Sequence, residues 1–444
     1  MTTTAEYTAE QLAAIQRRVL RVLTFGQVVG SLAMAAAVTI GAFVVQEALG
    51  DETPLGGIAI ATFTVGTGVM AQLLSTRMGR RGRRHGMVLG YFVAGAGGAI
   101  AALGAELTVL PIFLIGLFLF SNGQAANLLA RYAAADLALP HERSRAISRI
   151  VFATTFGAVF GPVLIGPGQR LGEAVGLGQY TGPWLIGATF FVLAGINVAL
   201  RLRPDPLVLA GGVGARVTGP GAPSLRTSIS AIAGSRLASL ALLAMVVSQA
   251  AMVGVMTMTP VHMRLHDHEQ LSHYVISLHI AGMFAFSPLV GRFADRYGRE
   301  RTILVGAVIL GGSTLLGAVS GDAELVLFPA LFGLGIGWNF GLIGGSSLLT
   351  ESVPVEDRVT VQGTADLLMN VCGGLAGFSS GFIRSALGYH MLANLATLLA
   401  VALVAFTAIH LMSARRADGA VVGVGTTGTA GGQGTPSRPP AENG

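Results

Sequence analysis

The stretch GRFADRYGRER, Gly291 to Arg301, decides how this chain is to be read. Six of its eleven residues are charged, in a chain where only 11% are. Apolar runs flank it, near 273–291 and 302–320. Each is long enough for a helix across a bilayer, which takes about 20 residues for roughly 30 Å of hydrocarbon. A charged turn between two such runs reads as a loop at a membrane surface. A similar turn occurs earlier. QLLSTRMGRRG, Gln72 to Gly82, stands 219 residues before it, and Arg77, Gly79 and Arg80 fall on Arg296, Gly298 and Arg299. Further on, Glu351 to Arg358 repeats the seven-residue gap from Asp136 to Arg143. Matching loop signals in two halves predict a parallel internal repeat.

Extending the reading outward gives twelve apolar runs. Six lie near 22–46, 55–75, 86–104, 107–130, 147–167 and 183–202, and six near 237–261, 273–291, 302–320, 325–349, 361–383 and 389–412. Hydrophobic residues make up 52% of the 444, and mean hydropathy is +0.67. Soluble domains carry about 25% charged residues, so this composition excludes one. The expected fold is an all-α polytopic membrane protein, twelve transmembrane helices in two six-helix halves. Its parts are an arm at 1–21, a bundle at 22–203, a Gly/Pro-rich linker at 204–235, a second bundle at 236–413 and a disordered tail at 414–444. The N-terminus reads as a polar arm rather than a cleavable signal.

All 28 basic residues are arginine, against 22 acidic ones, for a net charge of +6 and a pI near 10.1. That balance could suggest nucleic acid, but membrane topology explains it. Nearly all the arginines fall in the turns after runs 2, 4, 6 and 8 and near the termini; the opposite side holds Arg170, Arg264 and Arg384. The positive-inside rule then puts both termini in the cytoplasm, with the chain in the plasma (inner) membrane. The expected partners are the lipid bilayer and a small solute or metal ion, with no obligate protein partner. A single cysteine, Cys372, excludes an internal disulfide and a cysteine-type metal site.

GRFADRYGRER resembles the loop signature of the major facilitator superfamily, Gly-x-x-x-Asp-Arg-x-Gly-Arg-Arg, and the resemblance extends over roughly residues 15–413. It implies a non-enzymatic transporter with two bundles around a central cavity, worked by alternating access. The loops of that family latch the closed state through ion pairs. The resemblance thus implies a latch at Gly291, Asp295, Arg296, Gly298 and Arg299. The first copy departs from the pattern, with Gln72 for the leading Gly and Thr76 for the Asp. Its latch is expected to rest on Gly79 and on Arg77 or Arg80 with Asp136. GAVFGPVLIG, Gly157 to Gly166, resembles the family's antiporter signature, with Ile165 in place of one Gly. There Gly157 and Gly161 allow close helix packing, Pro162 permits a bend, and Gly166 closes the motif.

Residues 245–283 hold 6 of the 14 Met and 5 of the 9 His. Met252 and Met256 share a face of run 7, and His279 and Met283 share a face of run 8, each pair four residues apart. Met252 and Met283 lie equally far from the turn near residue 267, as do Met256 and His279. The four form two rungs about 6 Å apart along the axis. Thioether and imidazole suit Cu(I), whereas hard ions would want oxygen. The bland reading is packing, since Met fills irregular gaps. The Met-x-x-x-Met and His-x-x-x-Met pair also resembles the CcoA-like copper importers of the superfamily, whose relatives include proposed riboflavin carriers. The loop HMRLHDHEQLSH, His262 to His273, reads as a solvated loop.

Asp366 in run 11 is an acidic residue well inside an apolar run, a candidate proton carrier. The bland reading is a hydrogen bond to Asn370 or Gln362. Asn122, Gln124, Asn127, Trp338 and Asn339 are further cavity candidates. With no Walker-type loop, nucleotide drive is not expected. No cofactor is expected, and copper would be cargo. The lead expectation is Cu(I) uptake through Met252, Met256, His279 and Met283. The alternative is proton-coupled efflux of hydrophobic drugs, or carriage of another organic solute such as a riboflavin-like compound.

Overall fold

A computed structural model describes residues 7–49, 58–213, 225–265, 269–320 and 323–425. In hydrocarbon a backbone must satisfy its own hydrogen bonds, so long apolar runs fold as helices. The described residues contain no strand. In the first half, spans 1 to 4 are Ala9–Leu49, Ile58–Arg81, Arg83–Glu106 and Leu110–Ala135. Span 5 is Arg143–Phe160 continued by Ile165–Ala174 after a 57° bend, and span 6 is Thr181–Arg201. In the second half, span 7 is Arg236–Leu265, span 8 is Glu269–Phe284 continued by Ser287–Tyr297, and span 9 is Arg299–Ala318. Spans 10 to 12 are Glu324–Ser352, Val355–Leu387 and Tyr389–Gly425. Ten helices among the described residues are long and apolar enough to cross a membrane, and the bent pair of span 5 makes eleven. The first expected span lies within Ala9–Leu49.

Several boundaries differ from the sequence reading, and the first helix already begins at Ala9, inside the arm expected at 1–21. Short helices, Pro206–Leu209 and Leu225–Gly234, occupy parts of the expected linker. Span 12 runs to Gly425, past the expected boundary at 413, while 426–444 of the tail lies outside the described residues, as do 1–6, 214–224 and 266–268 of the arm, linker and outer loop. Span 4 runs to Ala135 rather than 130, which brings Arg131 inside a span.

Each half has its own core. In the first, Trp184 meets Phe113 and Phe120 edge-on, both at 5.3 Å. The second core takes in Ala135, Ile147 and Val151 from the first half. The halves close against each other near the arginine-rich loops, where span 2 packs on span 11 and span 8 on span 5.

That end corrects the register of the repeat. Gly298 joins span 8 to span 9 with φ 96°, and Gly82 joins span 2 to span 3 with φ 91°. Only glycine takes that conformation without strain. The two turns are therefore equivalent at a spacing of 298 − 82 = 216, three fewer than the 219 read from sequence. Arg299 then corresponds to Arg83, Asp295 to Gly79 and Gly291 to Ser75. The run of arginines at 80, 81, 83 and 84 fits either register by composition. The corrected register also accounts for the missing glycine at 75. A side chain on Gly291 would run into Ser148 of span 5. In the other copy the glycine sits on the partner helix, where Gly363 of span 11 faces Ser75.

The ion pairs follow the same register. Asp136 is held by Arg83, not by Arg77 or Arg80, which are exposed. Arg83 reaches it through Nε at 2.8 Å and a second nitrogen at 3.1 Å, and donates across the halves to Gln362 Oε1 at 2.8 Å. In the second copy Arg299 reaches Glu351 at 2.8 Å and Asp295 at 3.3 Å, and also donates to the Pro140 carbonyl. Asp295 accepts from the backbone N–H groups of Ser144 and Arg145, both at 3.0 Å, at the start of span 5. Arg296 is exposed and lies over the Tyr297 ring.

Candidate functional site

Between the halves lies a cavity of about 410 Å³. Its first-half wall comes from spans 1, 4 and 5: Gln27, Ser31 and Met34, then Gln124, Asn127 and Arg131, then Thr154 with aliphatic neighbours. The second-half wall comes from spans 7, 8, 10 and 11: Gln249, Met252, Met256, Met283, Phe284, Trp338, Met369 and Asn370. Among the described residues no carboxylate lines it, and Arg131 is the one charged lining residue.

The two walls differ in chemistry. Trp338 donates to Gln249 Oε1 at 2.7 Å and meets Phe284 edge-on at 5.6 Å. That fixes a broad aromatic and thioether surface. Opposite, span 1 places Gln27 and Ser31 four residues apart on one face. Gln27 donates through Nε2 to Thr154 at 3.0 Å, and Asn127 accepts from the Tyr91 hydroxyl at 2.9 Å. Each amide thus has one end pinned. Gln27 Oε1, Asn127 Nδ2 and the Ser31 hydroxyl have no hydrogen-bond partner among the described residues. All three residues are at most 6% exposed. Buried polar groups are nearly always paired, so three unpaired ones on cavity-lining residues are the positions at which a ligand bond can be tested.

The predicted rungs separate. Met252, Met256 and Met283 all line the cavity, but His279 does not. Its Nδ1–H donates to the Leu331 carbonyl at 2.7 Å, on span 10. The reason is backbone contact. Gly282 of span 8 and Gly335 of span 10 let the two helices touch, and His279 sits on the packed face. Its Nε2 has no partner among the described residues. Those residues hold no cluster of three His, Cys, Asp or Glu side chains suited to a metal. In the antiporter-like stretch, a side chain on Gly157 would run into Ser31 of span 1, the chain bends across Gly161 and Pro162, and Gly166 faces open space.

Asp366 makes a different bond from those expected. It forms an ion pair with Arg131 of the opposite half, both side chains at most 2% exposed. Among the described residues Asn370 donates to the Asp366 backbone carbonyl alone, at 2.8 Å. Arg131 also reaches the Ser346 hydroxyl at 3.1 Å, the Leu128 carbonyl at 2.6 Å and the Tyr132 hydroxyl at 3.2 Å. The second carboxylate oxygen of Asp366 has no partner among the described residues. A buried carboxylate needs a countercharge, and the apolar run AANLLARYAAA carries one. That signal could have placed Arg131 in the site. Gln27, Ser31 and Gln249 were also missed. Gln124, Asn127 and Trp338 line the cavity, whereas Asn122 and Asn339 bond within the bundles, to the Leu119 carbonyl and the Ser287 hydroxyl.

Two bundles enclosing a polar-and-aromatic cavity, with a buried ion pair across them, define a solute carrier. The Major Facilitator Superfamily profile matches residues 23–273 and 265–425, and the chain belongs to that family. It is a secondary transporter that works by alternating access. It is 34% identical over 397 residues to the Uncharacterized MFS-type transporter YdeG of Bacillus subtilis (strain 168), covering 89% of this chain and 92% of that protein. It is 28% identical over 380 residues to the Riboflavin transporter RfnT of Brucella anthropi, covering 85% and 92%. The fold matches the crystal structure of the human organic anion transporter MFSD10 (TETRAN), with TM-score 0.73 at 17% identity, covering 88% of this chain and 99% of that one.

Proposed function

We propose that the protein carries a planar organic solute with an amide or imide edge, of the riboflavin-like class, across the membrane. The unpaired polar atoms of Gln27, Ser31 and Asn127 carry this reading. Together they offer two donors and one acceptor, the complement of a C=O, N–H, C=O edge. The Trp338 and Phe284 side supplies apolar contact for a ring system. The riboflavin relative supports the same class.

The arginine-rich end is cytoplasmic by the positive-inside rule. The closed latch at that end excludes the inward-open state. In the proposed cycle a proton on Asp366 weakens its pair with Arg131, which releases one link between the halves near the cavity.

The test is riboflavin accumulation in a riboflavin-requiring host. Wild-type chain is expected to raise uptake, Asn127→Leu to cut it about tenfold and Asp366→Asn to abolish pH dependence. Faster loss of riboflavin from preloaded cells would assign the same cavity to export. Flavin movement identical to empty vector in both directions would overturn the reading.

The three cavity-facing methionines favour a second reading, Cu(I) as cargo. It predicts that cells expressing the chain accumulate copper and that Met256→Leu removes the gain. Copper accumulation equal to empty vector would end it.

A further inference from the structure

We propose that the arginine-rich end carries a site for one anionic phospholipid, in a crevice that spans both halves. The crevice has a volume of about 330 Å³ and lies apart from the central cavity. Its walls are spans 1 and 5 of the first half and span 8 of the second. The charged groups are Arg145, Arg149, Arg292 and Glu142. Arg145 is engaged with Asp295 at 3.3 Å. Arg149 and Arg292 form no ion pair among the described residues, and Glu142 is the one carboxylate facing the three arginines, so the crevice keeps a net positive charge with two guanidinium groups from opposite halves unpaired. Guanidinium binds phosphate oxygens through paired hydrogen bonds, and basic pockets between membrane helices accept acidic headgroups.

The apolar surroundings select a lipid over free phosphate. Leu20, Phe152 and Pro288 supply the larger apolar side chains of the crevice. From there the apolar surface continues along spans 5 and 8. Phe156 packs against Phe152 at 5.9 Å and is 43% exposed, and Leu289 is 58% exposed. Headgroup cations at the mouth and an exposed apolar strip beyond them match the two ends of a phospholipid. Because Arg149 and Arg292 sit on different halves, the bound headgroup bridges them and favours the closed state of this end.

The experiment is native mass spectrometry of the full chain from micelles supplied with phosphatidylglycerol or phosphatidylcholine, with thermal unfolding alongside. Wild type is expected to retain one phosphatidylglycerol and to be stabilised by it. Arg149→Gln with Arg292→Gln is expected to lower retention at least tenfold. Arg201→Gln with Arg203→Gln, exposed arginines at the same end, is the control for general charge and is expected to retain the lipid. Equal retention by both double variants, equal retention of both lipids, or saturation by inorganic phosphate in place of lipid would each overturn the proposal.

Discussion

The two copies of the arginine loop close the same end of the molecule by different physics. In the first, Arg83 and Asp136 are fully buried and the pair is completed by Gln362 across the halves. In the second, Arg299 is 14% and Glu351 27% exposed, and cross-half bonds run from the first-turn N–H groups of span 5 to Asp295 and from Arg299 to the Pro140 carbonyl. The first copy has Gly79 where the second has Asp295, so it makes no such cap on span 11. Its closure instead relies on Ser75 meeting Gly363 and on the buried arginine. One half is held by a desolvated charge pair, the other by a carboxylate on a helix N-terminus. A desolvated pair tolerates no loss of one member, whereas a water-accessible one tolerates it well.

That contrast can be broken by experiment. The largest effect is expected at Asp136. Asp136→Ala should cost about 3–5 kcal/mol, because it leaves the buried Arg83 guanidinium without its countercharge. Glu351→Ala should cost about 1 kcal/mol or less. Thermal unfolding in micelles reads both, and a larger loss for Glu351→Ala would reverse the assignment. Next comes Gly363→Ala, whose added methyl meets Ser75 and should cost about 1–3 kcal/mol. Adding Ser75→Gly should recover most of it. No recovery would mean that the contact does not set the spacing of spans 2 and 11.

Smaller effects probe the cap. Asp295→Ala should remove about 1 kcal/mol of stabilisation at the start of span 5. Hydrogen exchange at the Ser144 and Arg145 amides should rise about fivefold. Unchanged exchange would show that the cap is not held in solution. The smallest change is expected from Gly79→Asp, which gives the first loop the carboxylate it lacks. A side chain there has open space, with Thr360 at 3.9 Å. About 0.5 kcal/mol of added closure should slow turnover roughly twofold. Faster turnover would contradict the latch role of this position.

Much of the architecture was legible in apolar runs and in the spacing of charged turns. The register was not, because Arg80, Arg81, Arg83 and Arg84 fit two alignments by composition, and only the turn at Gly82 separates them. In the site, helix periodicity put His279 and Met283 on one broad face. It could not say which neighbour that face meets. Contact through Gly282 and Gly335 turned His279 toward span 10 and left Met283 at the cavity. Arg131 was hidden because the sequence reading ended span 4 at 130, five residues short of Ala135. The unpaired atoms of Gln27 and Asn127 could not be read at all. They follow from which end of each amide Thr154 and Tyr91 occupy.

On the proposed reading the amide wall and the Trp338 wall hold a flavin-like ring between them. The chain has two tryptophans, and Trp184 lies in the core of the first half. In a Trp184→Phe background the emission of Trp338 therefore reports on the cavity alone. Riboflavin titrated into that purified protein should quench the emission saturably, and Gln27→Leu or Asn127→Leu should weaken binding about tenfold. Quenching that does not saturate, or that is the same in both variants, would contradict the account.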